Sequence, residues 1–175
     1  MCRAFYYLCG QKNLMEIRFV NLDDAAGIAA IYNRYITETT VTFEVEPLDT
    51  ATMQARISSL MKHGAYVVAE EKGSVVGYAY AHPWKERTAF RHTWETTVYV
   101  SPEFQGQGIG FRLMEELIAQ CRERGVHALV ACITAENEGS RRMHTRLGFC
   151  QVSLYKEVGY KFGRWLDVTD YELML

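Results

Sequence analysis

The stretch VYVSPEFQGQGIG, residues 98–110, decides how the rest of the chain is read. An apolar, β-branched run stops at Val100. Gly106, Gly108 and Gly110 then follow two residues apart, directly before a segment with helical spacing. A turn alone does not call for three glycines, and three ligand-binding explanations compete. A dinucleotide turn of the G-x-G-x-x-G type, counted from Gly106, fails at its last place, which Phe111 occupies. The Gly-Lys-Ser/Thr of a P-loop is absent. The third is a strand-to-helix turn whose free backbone N–H groups hold a pyrophosphate at a helix N-terminus. Glycine permits positive φ there and lets a ligand approach the backbone closely. A tight turn that binds nothing is the remaining alternative.

Working outward, TWETTVYV (93–100) reads as a strand. Gly108 to Arg124 reads as a helix with Leu113, Met114, Leu117, Ile118 and Cys121 on its apolar face, ended by Gly125. ALVACIT (128–134) is a buried strand and Glu138 to Leu147 a short helix closed by Gly148. FCQVSLYKEV (149–158) and RWLDVTDYELML (164–175) are read as the two closing strands. Upstream, Glu16 to Val20 alternates as a strand. Asp23 or Asp24 caps a helix whose Ile28, Ile31, Tyr32 and Tyr35 share one face. Thr39 to Pro47 is a threonine-rich loop, and Asp49 or Thr50 caps a second helix to about His63. AYVVAEEKGSVVGYAYAH (65–82) is two strands joined at Lys72-Gly73, and Pro83 to Arg91 is a polar loop. The order β-α-α-β-β-β-α-β-α-β-β predicts an α/β (α+β) fold, a mixed central sheet of about seven strands with helices on both faces. No linker or repeat divides residues 15–175, which are read as a single domain. MCRAFYYLCGQKNL, residues 1–14, is read as an upstream extension, with an extra ordered strand or helix as the alternative.

Composition narrows the function. The chain has 175 residues, 49% hydrophobic and 23% charged, which suits one compact domain. A net charge of -2 and a pI near 6.2 supply no basic field for nucleic acid. No apolar run approaches the roughly 20 residues of a membrane span. The five cysteines form no C-x-x-C, Cys121 and Cys132 read as small buried hydrophobes, and the pattern fits a reduced, cytoplasmic protein. No His/Cys/Asp cluster has metal-ligand spacing, so no metal is expected.

Gln105, Gly108 and Gly110, as Q-x-x-G-x-G after a strand ending in VYV, resemble the acetyl-CoA-binding motif of the GNAT family of N-acetyltransferases. YAYAHPWKERTAFRHTWETTVYVSPEFQGQGIG (78–110), RRMHTRLGF (141–149) and GYKFGRWLDV (159–168) are similar, in that order, to the phosphinothricin and methionine-sulfoximine acetyltransferase branch. The resemblance covers nearly all of residues 15–175. It implies acetyl-CoA as co-substrate, with Val98, Tyr99 and Val100 along the pantetheine arm. It places Gln105, Gly106, Gln107, Gly108, Ile109, Gly110 and Phe111 around the pyrophosphate. Asn137, assisted by Ser140, resembles the family's late coenzyme-binding asparagine; an ordinary N-cap is its other reading, and the two are compatible.

Acetyl transfer to an amine needs an unprotonated nitrogen, a seat for the oxyanion and a proton for the leaving thiolate. An α-amine titrates near 7.7–8.0 in peptides, so a positioned base helps at neutral pH. Glu95, taken alone, reads as a solvent-facing strand residue. The likeness of TWETTVYVS (93–101) to the family's catalytic-glutamate strand makes it the general base, directly or through water, with the Val98 N–H as oxyanion donor. His144, on the helix face of Ser140 and Leu147, is read as the acid for the thiolate, as a substrate contact or as a core histidine. Lys85, Glu86 and Arg87 match the branch's substrate segment, with Glu95, Thr96 and Thr97 on the adjoining strand. A guanidinium suits a carboxylate, while a solvated loop is the plainer reading of Lys85. Phe43 is expected to form an apolar wall. Some relatives carry Arg-Pro-Phe in place of Lys85-Glu86-Arg87, which bears on the preferred amino acid.

The resemblance thus implies N-acetylation of the α-amine of a small amino-acid analogue: phosphinothricin, methionine sulfoximine or methionine sulfone. A protein or peptide acceptor and a non-catalytic acetyl-CoA-binding module are the alternatives. Relatives are commonly dimers, and the aromatic C-terminal segment leads us to expect a homodimer.

Overall fold

The computed structural model describes residues 15–175; the reading of residues 1–14 lies outside the described residues. The strands are β1 (Glu16–Phe19), β2 (Ala65–Glu71), β3 (Ser74–Pro83), β4 (Thr93–Val100), β5 (Ala128–Thr134), β6 (Cys150–Gln151), β7 (Tyr155–Lys161) and β8 (Arg164–Met174). The helices are α1 (Ala25–Glu38), α2 (Thr50–His63), α3 (Ile109–Glu123) and α4 (Glu138–Arg146). One sheet runs β1-β2-β3-β4-β5-β8-β6, with β7 also paired to β8. Of these pairings only β4–β5 is parallel, and α3 lies in the connection between those two strands.

Local chemistry explains most of these elements. Lys72 and Gly73 both adopt positive φ (52° and 78°), the two-residue turn that matches the twist of a hairpin. The period of two along β2 then sorts the core. Tyr66 and Val68 lie under α1 and α2 with Ile28, Ile36 and Ile57, whereas Val67 and Ala69 face α3 with Leu113 and Leu117. Helices therefore cover both faces, as expected. Leu113, Met114, Leu117 and Cys121 are fully buried, each hydrophobic side chain of this size contributing about 1.5–3 kcal/mol.

Three expectations are corrected and one choice is settled. The sheet has eight strands rather than about seven, because residues 149–158 do not form one strand. The Ser153 hydroxyl donates to Asp170 Oδ2 (2.9 Å) and accepts from the Asp170 N–H (2.8 Å). That local bonding replaces the ladder and separates β6 from β7 along the same flank of β8. Asp24 takes the N-cap position of α1, one of the two residues expected there, but its side chain makes no cap hydrogen bond. Asn21 caps the preceding short turn, and Asp24 spends its carboxylate on the Asn21 N–H and Arg18. Of Asp49 and Thr50, Asp49 caps α2, accepting from the Thr52 N–H at 2.7 Å. Cys132 is exposed, since its side chain falls on the part of the sheet face that α1 and α2 do not cover; Cys121 is buried as read. Among the described residues no helix is long and apolar enough to cross a membrane.

Candidate active site

The parallel pair β4–β5 is the place where the sheet opens. Its register is Thr93↔Ala128, Trp94↔Leu129 and Glu95↔Val130, and there it stops. β4 nevertheless continues to Val100, still paired with β3 as far as Gly77↔Val100. β5 continues to Thr134, still paired with β8 as far as Thr134↔Val168. The two strands splay, and Thr96 Oγ1 closes the apex by donating to Val130 O at 3.3 Å.

Backbone alternation decides which groups face the gap. Thr93 O accepts from Trp84 N and Ser101 N donates to Val76 O, so odd-numbered residues of β4 bond toward β3. The N–H and C=O groups of Val98 and Val100 consequently point toward β5, where no ladder meets them. Val100 O is taken by the Tyr35 hydroxyl at 2.5 Å, and Gln105 Nε2 donates to that same hydroxyl at 2.8 Å. Both groups of Val98 and the Val100 N–H remain without a partner among the described residues. Unpaired backbone in a fold is a demand for a partner.

At the end of the gap stands the glycine turn. Gly106 and Gly108 have φ of 75° and 78°, and Gly108 is the N-cap of α3 with no side chain to cap it. Open space surrounds both, whereas a Cβ on Gly110 would meet Met143 Sδ at 3.3 Å and Val100 Cγ2 at 3.5 Å. Two of the three glycines thus serve the backbone conformation and the third serves packing. The first N–H groups of α3 are left for an anion. The residues present fit a long ligand with an amide-bearing arm and a phosphate-bearing end.

Glu95, Thr97 and Tyr99 share one face of β4. Tyr99 packs on Tyr32 and Tyr35 of α1, at ring-centroid distances of 5.2 and 4.8 Å. Glu95 lies beyond the reach of those helices, opposite His82 in the β3–β4 register. Burial pushes its carboxyl above the usual carboxylate range; His82 opposes the shift and Asp170 adds to it. Thr96 and Val98 turn to the other face, where Thr96 is buried, so Thr96 can meet a ligand only through its backbone. The polar loop lines a concavity of about 460 Å³ with Lys85, Glu86, Arg87 and Phe90, and Glu95 is not among those lining residues. Lys85 Nζ rests 3.8 Å from the centre of the Trp84 ring, while Arg87 has no ion-pair partner among the described residues.

Asn137 is the N-cap of α4, its Oδ1 accepting from the Ser140 N–H at 3.1 Å. His144 is 3% exposed and stands edge-on to Phe149. Its Nδ1 lies 2.9 Å from Ser140 O and 3.2 Å from Ser140 Oγ. A carbonyl only accepts, so Nδ1 carries the proton, and burial lowers the pKa of the ring and keeps it neutral. Phe43 lies on the loop after α1, its ring against Gly159. Residues unassigned from sequence join the site: Tyr35 on Val100 O, His82 beside Glu95, and Thr42, whose Oγ1 meets the Tyr32 hydroxyl at 2.8 Å. Tyr32 and Tyr35 were legible only as apolar positions of α1.

A splayed parallel strand pair, an uncapped glycine turn into a helix and a raised carboxyl thus lie along one gap. The model of the Acetyltransferase (GNAT) family matches residues 28–149, and the chain belongs to that family. It is 40% identical over 162 residues to the L-methionine sulfoximine/L-methionine sulfone acetyltransferase of Salmonella typhimurium, covering 92% of this chain and 95% of that one. It is 40% identical over 155 residues to the phosphinothricin N-acetyltransferase of Alcaligenes faecalis, covering 87% and 79%. A solved Salmonella typhimurium acetyltransferase, determined with its cofactor acetyl-CoA, superposes with a TM-score of 0.90 at 39% identity over 93% of this chain and 94% of that chain.

Proposed function

We propose that residues 15–175 form one catalytic unit that transfers the acetyl group of acetyl-CoA to the α-amine of a small amino-acid analogue, of the phosphinothricin, methionine sulfoximine and methionine sulfone kind. The gap between β4 and β5 carries this reading, because it presents unpaired backbone beside a carboxyl of raised proton affinity. Bound there, acetyl-CoA supplies an activated acetyl carbon. Val98 and Val100 hold the pantetheine arm strand-fashion, with Tyr99 packed behind them. Gln105 to Phe111 hold the pyrophosphate, and the free Nδ2 of Asn137, with Ser140, completes the coenzyme side.

Glu95 accepts the proton of the acceptor's ammonium, directly or through water, and the Val98 N–H donates to the oxygen that gains charge. A carboxyl titrating above its ordinary range is a stronger base once ionised. As the amide C–N bond forms and the C–S bond breaks, the departing thiolate takes the second proton shed by the acceptor's nitrogen, directly or through water. His144, neutral with its proton on Nδ1, offers only an acceptor at Nε2 and has the minor part. Arg87 pairs with the acceptor's carboxylate, with Lys85 and Glu86 beside it, and Phe43 walls the apolar stem next to Thr96 and Thr97. No metal takes part in this scheme. The exposed Tyr155, Val158, Tyr160, Phe162 and Trp165 on the hairpin of β7 and β8 support a homodimer. In sedimentation at micromolar concentration a species of only 20.1 kDa would exclude it.

Released thiol, measured with a panel of acceptors, tests the function. Sulfone, sulfoximine and phosphinic acceptors are expected to exceed methionine at least about tenfold in kcat/KM, since methionine leaves donors for the tip oxygens unpaired. Equal rates on methionine, or turnover on peptides alone, would overturn the substrate class.

A further inference from the structure

The hairpin of β7 and β8 touches the threonine-rich loop in an unusually determined way. β7 carries a bulge between Tyr155 and Gly159, with Glu157 at a φ of 53°. Asp167 pins that bulge, accepting from Lys156 Nζ at 2.7 Å and from the Glu157 N–H at 3.0 Å. Bulges re-aim the residues that follow them, and here two are re-aimed at the loop. Gly159 lies flat under Phe43: a Cβ on it would stand 2.0 Å from Phe43 Cε1 and 2.6 Å from Cζ. Its φ is not positive, so glycine is present for space and not for backbone freedom. Lys161 is 3% exposed and donates to Thr42 O at 2.7 Å, and among the described residues no carboxylate pairs with it. Its Nζ is 5.1 Å from the ring centre of Phe162, which holds a left-handed φ of 50° at the hairpin tip. A bulky residue in that conformation and a buried ammonium on a neutral carbonyl are both costly.

The same loop is fastened from the other side. Thr134 Oγ1 donates to Thr40 O at 2.7 Å, and Thr42 Oγ1 bonds Tyr32. Phe43 follows directly on these anchored residues, yet its ring is exposed and rests on Gly159. The hairpin therefore decides where the ring stands.

We propose that Gly159 and Lys161 are positioning residues of the acceptor site, the hairpin holding Phe43 so that its ring sets the size of the acceptor's apolar subsite. The proposal rests on Phe43 being the acceptor wall. Kinetics of the full chain with acetyl-CoA and methionine sulfone as the probe acceptor decide it, with melting temperature read alongside. Gly159→Ala is expected to raise the acceptor KM about tenfold while the acetyl-CoA KM stays within about twofold. In a Phe43→Ala background the same substitution is expected to add less than about twofold, because the new methyl meets no ring. An unmoved acceptor KM, or a full effect in the Phe43→Ala background, overturns the proposal. So does a collapse of the Gly159→Ala fold, since an exposed ring has room to yield. Lys161→Met is expected to raise the acceptor KM as well, and Lys161→Arg to recover part of the loss; no change in Lys161→Met removes Lys161 from the proposal. Phe43→Ala alone separates the two readings. If it leaves the acceptor KM unchanged, the wall itself is misplaced; if it raises KM while Gly159→Ala is silent, only the hairpin's role fails.

Discussion

Two strand pairs in this sheet are built to opposite ends. β2 and β3 pair from Ala65↔Ala81 to Glu71↔Ser74 with a bulge after Ala69, closed by a turn that suits them, and sealed by helices on both faces. β4 and β5 keep three residue pairs and then part, although each stays bonded to its outer neighbour. In the first pair the ladder runs the length of both strands with one bulge, and what remains is packing. In the second the fold leaves groups unanswered at one place and puts a raised carboxyl next to it. The paired ladder marks where stability is made, and its interruption marks where the proposed coenzyme would bind.

Substitutions should separate along the same line. Glu95→Gln, which keeps shape and removes proton acceptance, is expected to lower kcat about 10²–10⁴-fold with little change in melting temperature. Its pH profile should change with it. The wild-type rate falls as pH drops through the raised Glu95 range, because the protonated carboxyl cannot accept a proton; Glu95→Gln lacks that limb. A mutant within about twofold of wild type from pH 6 to 9 would move the base elsewhere.

Leu117→Ala, beneath the paired strands, should do the reverse. Its side chain is fully buried, and the cavity is expected to cost about 2–5 kcal/mol of stability while both KM values hold. Gly108→Val at the edge of the gap falls between the two. Its φ of 78° is strained for valine, and the acetyl-CoA KM is expected to rise about tenfold or more, with stability lost by about 1–3 kcal/mol. Unchanged coenzyme binding in calorimetry would dissociate the turn from the pyrophosphate. His144→Gln is the smallest, less than about tenfold in kcat, since the ring is neutral and its Nδ1 is spent on Ser140.

How much of this was legible in the sequence follows from the range of each interaction. The hairpin at Lys72-Gly73, the apolar face of α3 and the Asp49 cap depend on neighbours within a few residues, and the sequence shows them. The strand over residues 149–158 was misjudged because its break at Ser153 depends on Asp170, 17 residues away. Cys132 sits in an apolar run, and only the span of α1 and α2 across the sheet reveals that it is exposed. At the candidate site the glycine turn was legible from its own residues and Glu95 only through the family resemblance, while their partners were not. Tyr35 reaches Val100 across 65 residues and Lys161 reaches Thr42 across 119. Spacing along the chain carries no trace of either.

Hydrogen exchange resolved to single amides tests the central claim most directly. In the free protein the Thr97 and Tyr99 amides, bonded toward β3, should exchange slowly, and those of Val98 and Val100, facing the gap, should exchange fast. Saturating coenzyme A should slow Val98 and Val100, together with Ile109 and Gly110 at the start of α3, and leave β2 and β3 as they were. Val98 and Val100 amides that are already slow in the free protein, or that stay fast when coenzyme A is bound, would contradict the account.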